Sequence, residues 1–338
     1  MEVSERLISV VLVTWNSAHY LPRCIEGIRG QSHPRIELIV VDNASTDASV
    51  ALIEPHAARL IRNESNLGFS VAVNRAIAVA SGEWVLVVNP DCHLDAEYST
   101  RLVRALDTAG PAFGAGTGML VRARGDEIEP IGEIDSLGIR MTRSGRHLDL
   151  GQGEFPERWT AVVDRDLPAG CRLPSGAIEV FGVSGAAAMY RRSFLQELAI
   201  DGEILDEDFF AFREDADLAW RARLFGWRAL CEPTAIAHHV RRVTPRTRRA
   251  LPPEVNMHSV KNRFLLRIKN EGAFLALRNL PFELARDLVV FVAALTIERT
   301  SLPAFSWIWR NRHRLREKRR AIQMRRTVSD RQLARWFR

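Results

Sequence analysis

The chain has 338 residues, 46% of them hydrophobic and 26% charged, with four cysteines and a formal net charge of +6. That balance excludes a disordered or fibrous chain and suffices for one large domain or two modest ones. The charge is uneven: Arg310 to Arg338 holds twelve Lys or Arg against Glu317 and Asp330, so the tail carries a surplus of ten and the preceding 309 residues a net −4.

The opening MEVSER is polar, and the apolar run from Ile8 to Val13 is too short for a secretory leader, so a strand is predicted there. Cys24, Cys92, Cys171 and Cys231 are far apart and lack metal-type pairing, which predicts unpaired thiols in a reducing compartment. Further along, IELIVVDN and EWVLVVNP repeat the pattern of ISVVLVTW: short, Val- and Ile-rich runs ending in polar residues, as in strands buried on both faces of a parallel sheet. Helix-like stretches run from about Ala18 to Gly30, from Asp47 to about Ala58 and from about Ser70 to Ala80. The first hundred residues therefore read βαβαβ, and the fold class is α/β, a Rossmann-like, mostly parallel sheet flanked by helices. Open sheets of this kind bind ligands beyond the carboxyl ends of their strands, which gathers Thr14-Trp15-Asn16, Asp42-Asn43 and Asn89-Pro90-Asp91 at one crevice. VTWNSAHY has no glycine, which disfavours a dinucleotide site, and no P-loop follows. Phosphates there need another counter-charge, and a metal ion is the simplest.

In EDADLAWRARLFGW, Leu218, Ala222 and Phe225 recur at helical spacing, so a helix should begin near Glu214 and Asp215 with acids in its first turn. Phe209, Phe210 and Phe212 wall the upstream side and would raise a carboxyl pKa against the lowering by the helix dipole. Asp217 is expected to pair with Arg221 one turn on. In AIAHHV, His238 and His239 offer imidazole to a divalent metal, and on an extended strand they point to opposite faces. Leu288 to Ile297 is an uncharged run well short of the ~20 residues that span a bilayer. With Phe305, Trp307, Trp309 and the basic tail after it, the run suits a helix lying at an anionic membrane surface, although packing onto the domain explains its apolar part equally well. No nucleic-acid recognition motif accompanies the tail.

VVLVTWNSAHYLPRCI, ELIVVDNASTD, NLGFSVAVNRAI, VVNPD, GRHLDLGQGE, FGVSGAAAMYRRSFL and DEDFFAFREDADLAWRARLFGW resemble, in that order, the inverting family 2 glycosyltransferases of the GT-A fold, above all the bacterial rhamnosyltransferases of cell-wall and polysaccharide synthesis. The likeness covers roughly residues 7 to 240. It implies transfer of a sugar from a nucleoside diphosphate, a dTDP- or UDP-sugar with dTDP-L-rhamnose the best match, to a hydroxyl of a lipid-linked or glycan acceptor, with Mg2+ or Mn2+ as cofactor. Such an enzyme would work at the cytoplasmic face of the inner membrane. The implied organisation is a nucleotide-sugar half over 1–108, an acceptor-binding and catalytic half over 109–245, and a helical, basic extension over 246–338.

The resemblance also implies roles for residues. Asp42 matches the position that reads the base, and a carboxylate can accept the N3–H of uracil or thymine; the structural alternative, a helix cap, suits Asp47. Thr14, Asn16, Asn66 and Asn89 match positions around the nucleotide, as does Asn74. Asn89 stands where the family usually has the first of two aspartates, which leaves Asp91 as the metal ligand, completed by His238 or, in its stead, His239. Asp215 matches the catalytic base and Glu214 its acidic neighbour. Gly182, Ser184 and Gly185 would let backbone approach the sugar, or simply pack closely. Two other classes stay open: a sugar-nucleotide-forming nucleotidyltransferase, which would want a Gly- and Arg-rich signature after the first strand, and a catalytically weak sugar-nucleotide-binding protein.

Overall fold

The apolar runs read as strands do form the centre of a sheet. In the computed structural model, which describes residues 6–241 and 253–338, the first half runs β1 (Ile8–Thr14), α1 (Leu21–Arg29), β2 (Ile36–Asp42), α2 (Ser49–Ile53), β3 (Arg59–Arg62), α3 (Phe69–Val79) and β4 (Trp84–Val88). β1 pairs in parallel with both β2 and β4, and β2 with β3. Every residue of β1 and β4 is buried, as strands covered on both faces require. The helix expected to continue to Ala58 ends at Ile53, because Pro55 disfavours a helical residue before it and lacks the N–H to extend the ladder. The chain then forms β3, a short edge strand whose RLIR pattern, charged at both ends, hides it from a search for apolar runs.

The second half continues with β5 (Cys92–Leu94), α4 (Tyr98–Ala109), β6 (Phe113–Arg124), β7 (Glu129–Ser136), β8 (Ile139–Met141), β9 (His147–Asp149), α5 (Trp159–Asp166), β10 (Ile178–Val180), β11 (Ala187–Arg191), α6 (Arg192–Leu198), α7 (Glu214–Leu224) and β12 (Arg228–His239). β11 inserts antiparallel between β4 and β6, and β12 runs parallel to β6. One ten-stranded mixed sheet, in the order β10-β12-β6-β11-β4-β1-β2-β3 with β5 and β7 attached, therefore serves both 1–108 and 109–245. β8 and β9 form a separate hairpin. All four cysteines are free and buried.

The last segment is helical: α8 (Pro253–Asn270), α9 (Ala273–Thr296), α10 (Pro303–Arg310), α11 (Arg312–Met324) and α12 (Asp330–Leu333). The expected boundary at 245/246 lies outside the described residues. Among the described residues no helix is long and apolar enough to cross a membrane. Part of the tail's positive charge is turned inward. Lys318 on α11 is buried and pairs with Asp206 at 2.7 Å, Glu203 at 2.8 Å and Asp208 at 3.2 Å. Arg314 pairs with Asp208, and Lys269 of α8 pairs with Asp206 and, at 2.9 Å, with Asp217. Trp307 lies beneath the Lys261 ammonium at 4.5 Å, whereas Trp309 is exposed.

Removing one partner of a buried, networked charge leaves the others uncompensated, at about 3–5 kcal/mol. Lys318→Ala should therefore destabilise the protein by an amount in that range, read from denaturant unfolding, and deletion of Arg310 to Arg338 should lower the melting temperature and donor hydrolysis together.

Candidate active site

Paired parallel strands bring Thr14 and Asp42 side by side at the carboxyl ends of β1 and β2. Both are buried. Asp42 Oδ2 accepts the Ser45 N–H at 3.0 Å, while Asp42 Oδ1 and Thr14 Oγ1 are buried atoms without a hydrogen-bond partner. Unpartnered buried polar atoms are costly, and a pair at a strand end is where a ligand would satisfy them. Asp47 makes the local bonds expected of a cap, accepting from Ser49 N at 2.9 Å and Ala18 N at 3.1 Å.

The asparagines act mostly on the loops that carry them. Asn16, at φ 48°, accepts the Thr46 N–H at 2.8 Å and donates its own backbone N–H to Ser45 Oγ at 3.0 Å, joining the loops after β1 and β2. Asn66 Oδ1 accepts from Gly68 N at 2.9 Å. Gly68 has φ 88°, and a Cβ there would lie 2.6 Å from the Phe210 ring, so no other residue fits. Asn74 bonds both ways with the Leu205 backbone, at 2.8 and 2.9 Å, and so ties α3 to the segment that leads into the acidic run. Trp15, half exposed between Thr14 and Asn16, is a flat apolar surface that the motif reading passed over.

Asp91 follows β4, and β12 carries His238 and His239 past it. The alternation of side chains holds, and it is the alternate histidine that it brings to Asp91: His239 Nε2 stands 3.5 Å from Asp91 Oδ1, whereas His238 faces Asp95 at 3.1 Å and lies against the His93 ring. The register is set by β5, which pairs His239 with Cys92 and His238 with His93. His239 Nδ1 is 2.8 Å from Asp135 Oδ2, an acid that is completely buried. Arg241 bridges Asp135 at 2.7 Å and Asp149 at 2.7 Å. Burial opposes a charged His239, but Asp91 and Asp135 on its two sides overcome it and lift the imidazole to about 10. The carboxylate behind the ring fixes its orientation, the arrangement found behind metal-binding histidines. Among the described residues no three His, Cys, Asp or Glu converge as a ready metal cage. Asp91 and His239 bring together two groups of the kind that could donate to Mg2+ or Mn2+, if phosphate oxygens and water supplied the other ligands.

The carboxylates of 206–217 separate according to what faces them. Asp206, Asp208 and Asp217 are bonded to the cations already described, Asp217 also to Arg221 at 3.1 Å as expected. Asp206 is held well below the usual carboxylate range, its burial being outweighed by Lys269 and Lys318. Glu214 and Asp215 pair with no cation among the described residues. Asp215 Oδ2 accepts the Gly185 N–H at 3.1 Å and its Oδ1 the Ala216 N–H at 2.7 Å, while Glu214 Oε2 is buried and unpartnered. Burial raises both, and the neighbouring Asp215 adds to the rise of Glu214, to about 8. The two N–H donors on Asp215 favour its charged form, and the unpartnered, buried oxygen of Glu214 favours its neutral one.

Backbone strain aims this pair. Phe210, Phe212 and Arg213 have φ of 64°, 71° and 73°, a left-handed stretch that bulky residues adopt only when the surroundings enforce it. Asn262 of α8 enforces it by donating at 2.8 Å to the carbonyls of Phe209, Ala211 and Phe212. The Phe210 carbonyl in turn accepts from Phe69 and Ser70 at the start of α3, and its ring stacks on His258. The two ends of the site are yoked through β11: Asn89 N donates to Ala186 O at 2.9 Å, and Gly185 N, one residue earlier, donates to Asp215. Gly182 contributes packing, since a Cβ there would lie 2.2 Å from that of Ala219. Ser184 is buried beside it.

The model of the family described as "Glycosyl transferase family 2" matches residues 9–199, more than half of the chain. The chain belongs to that family. It is 29% identical over 250 residues to the N-acetylglucosaminyl-diphospho-decaprenol L-rhamnosyltransferase of Mycobacterium tuberculosis, covering 69% of this chain and 76% of that one. It is also 29% identical over 216 residues to the putative glycosyltransferase EpsH of Bacillus subtilis, covering 61% and 55%. Among solved structures, the mannosyltransferase PcManGT from Pyrobaculum calidifontis in complex with GDP-Man and Mn2+ is similar, with a TM-score of 0.52, 20% identity and coverage of 95% of this chain and 85% of that one. GalNAc-T7 with UDP, GalNAc and Mn2+ has a TM-score of 0.59 at 15% identity, over 78% and 48%. The fold of this family 2 glycosyltransferase is accordingly GT-A, with the helical segment after it. Family membership also sets aside the nucleotidyltransferase alternative, in line with the glycine-free VTWNSAHY.

Because folded Glu214 keeps its proton up to about 8 and an unfolded glutamate only to about 4.3, the folded protein binds the extra proton between those values. Stability should fall as pH rises through that window. Melting curves across it should show a flatter dependence for Glu214→Gln than for the parent.

Proposed function

We propose that this glycosyltransferase catalyses inverting, single-displacement transfer of L-rhamnose from dTDP-L-rhamnose to a hydroxyl of a lipid-diphosphate-linked saccharide. The observation that carries the reading is the yoke through β11, which joins the Asn89–Asp91 turn to a cation-free, hydrogen-bonded Asp215 by consecutive residues of one strand entry. The similarity to an L-rhamnosyltransferase acting on a diphospho-decaprenol acceptor supports the sugar and the acceptor class.

In this reading Asp42 accepts the N3–H of the base through its unpartnered Oδ1, Thr14 Oγ1 completes the same polar end, and Trp15 offers its face to the ring. Asn16, Asn66 and Asn89 shape the walls around the nucleotide. Asp91 and His239 hold the divalent ion, whose chemistry is neutralisation of charge on the diphosphate. Across the sugar, Asp215 takes the proton of the acceptor hydroxyl as its oxygen attacks the anomeric carbon, and the nucleoside diphosphate departs from the opposite face, inverting the centre. Glu214, neutral beside it, keeps a second negative charge out of the pocket. Gly185 holds Asp215 by its N–H and leaves room at the sugar; Ser184 borders the same space. The acceptor half, 109–245, and the helical extension meet the acceptor at the cytoplasmic membrane surface.

Asp215→Asn preserves shape and removes proton acceptance, so transfer should fall by about 10²–10⁴-fold with nucleotide-sugar affinity nearly unchanged. Activity within a few-fold of the parent would remove Asp215 from the role. For the ion, chelation should abolish transfer and Mn2+ should restore it. His239→Ala should lower the response to Mn2+ at least about tenfold, the usual range for loss of a metal-site group, whereas His238→Ala should not; equal effects of the two substitutions would overturn the choice of His239.

A further inference from the structure

α9 is built the wrong way round for a helix facing water. Its polar side is turned to the protein: Asn279 and Glu283 are buried, and Glu283 and Asp287 pair with Arg267 and Arg263 of α8 at 3.0 and 3.1 Å. Its apolar side is turned out. Leu277, Leu280, Leu284, Leu288, Phe291 and Leu295 recur every three or four residues, which sets them on one stripe, and all are exposed, by 43% to 74%. At 1.5 Å of rise per residue the stripe is about 27 Å long. Exposed apolar surface of this extent marks a contact with something else.

Cations sit on aromatic rings around the stripe. At its start the Arg331 guanidinium lies 5.5 Å from the Phe274 ring, on its flank Arg143 lies 4.0 Å from the Phe282 ring, and beyond its end Arg312 lies 4.6 Å from the Trp309 ring. All three rings are exposed. Trp309 is one turn of α10 from Phe305, whose ring meets Phe291 of the stripe at 5.6 Å. Arg143 also lines an open cavity of about 440 Å³ together with Arg278, Arg335 and Arg338. The cavity is tied to α9, because Arg143 donates to the Arg278 carbonyl at 2.9 Å and Arg278 to the Ala334 carbonyl at 3.0 Å. No acidic side chain lines it. Among the described residues, the one ion pair made by these rim and cavity arginines is the 4.0 Å approach of Arg335 to Glu179.

Unanswered cations beside an exposed apolar stripe narrow what can cover it. A two-fold partner presents the same patch to itself, and with arginines at both ends and on a flank either direction of pairing sets arginine against arginine. Nor can α9 span a bilayer, since its polar side is fastened to α8 by the ion pairs above. A helix lying in the plane of an anionic leaflet meets both conditions: acyl chains take the leucines, and lipid phosphates take the guanidiniums, with aromatic rings at the headgroup level.

We propose that α9 lies in the surface of an anionic bilayer, its leucine stripe among the acyl chains and the cavity of Arg143, Arg278, Arg335 and Arg338 holding lipid phosphate. Guanidiniums converging from separate elements suit a phosphate, whose oxygens each can bind in a bidentate fork. The inference deepens the membrane-surface setting proposed above and rests on it. It moves the contact from the basic tail as a whole to α9 and its rim, because Arg314 and Lys318 of the tail are engaged by buried acids.

The test uses the full-length protein, vesicles of phosphatidylcholine alone or with phosphatidylglycerol, and two double variants at exposed positions, Leu284→Asp/Leu288→Asp and Arg335→Gln/Arg338→Gln. Melting temperature and donor hydrolysis check folding and should stay unchanged. The parent should sediment at least about tenfold more strongly with phosphatidylglycerol present, as several cations held near an anionic surface require. The aspartate variant should lose at least about tenfold in affinity for both kinds of vesicle, since charge on the apolar face opposes insertion. The glutamine variant should bind phosphatidylcholine like the parent and lose most of the preference for phosphatidylglycerol. A spin label on Leu288→Cys, selective because the four native cysteines are buried, should be reached by oxygen in the bilayer and shielded from an aqueous nickel chelate. Parent-like sedimentation of the aspartate variant would overturn the insertion of α9, and an undiminished preference in the glutamine variant would overturn the cavity. Inorganic phosphate that raises the melting temperature as much as phosphatidylglycerol vesicles would overturn lipid as the source of the phosphate. A vesicle-free dimer that the aspartates break would overturn lipid in favour of a second copy. Transfer to a short-chain, water-soluble diphosphate-linked saccharide separates this inference from the activity it rests on. Vesicle binding that fails while such transfer persists sinks the membrane contact alone, and vesicle binding that holds while no transfer occurs sinks the acceptor class alone.

Discussion

The buried cations Lys269, Lys318 and Arg221 decide which carboxylates of the 206–217 segment become part of the scaffold. Asp206, Asp208 and Asp217 would repel one another and resist burial; facing ammonium and guanidinium groups, they instead dock α8 and α11 onto the sheet domain. What is left over among the buried acids of the run is Glu214 and Asp215, which pair with no cation among the described residues. Their raised proton affinity is a consequence of that partition, since burial without a counter-charge favours the neutral form.

The same docking supplies the strain. Phe210, Phe212 and Arg213 would not remain at positive φ on their own, and the side chain that holds three of the intervening carbonyls, Asn262, belongs to α8. The helical segment after the GT-A domain is thus coupled to the pocket: it neutralises the scaffold acids and bends the chain before Glu214. A change on α11 can reach the reacting centre through these contacts without touching a substrate.

At the other end of the pocket the governing constraint is register. β5 pairs with β12 so that His239 shares the side of Asp91, with Asp135 and Arg241 behind it. A shift of one residue would exchange the two histidines and leave the buried Asp135 without its ring partner. Asp135 itself carries no local signal: it lies on a strand in an ordinary EIDS stretch, and only the antiparallel pairing of β7 with β6 brings it behind the ring.

How far the residues alone could go follows from which interactions are local. The parallel strands β1, β2 and β4 were legible because burial on both faces writes a continuous apolar run, and the start of α7 because its acids and its 3.6-residue spacing are adjacent in the chain. The i, i+4 pair Asp217–Arg221 was legible for the same reason. β3 was not, since an edge strand with charged ends has no such run, and neither was the early end of α2. The fold, and the gathering of the candidate residues at the strand ends, were therefore written in the sequence. The pairing of the carboxylates with cations, the placing of His239 rather than His238 beside Asp91 and the inward turn of the basic tail were decided by the tertiary structure, because each depends on a charge or a register supplied from scores of residues away, which no local pattern encodes.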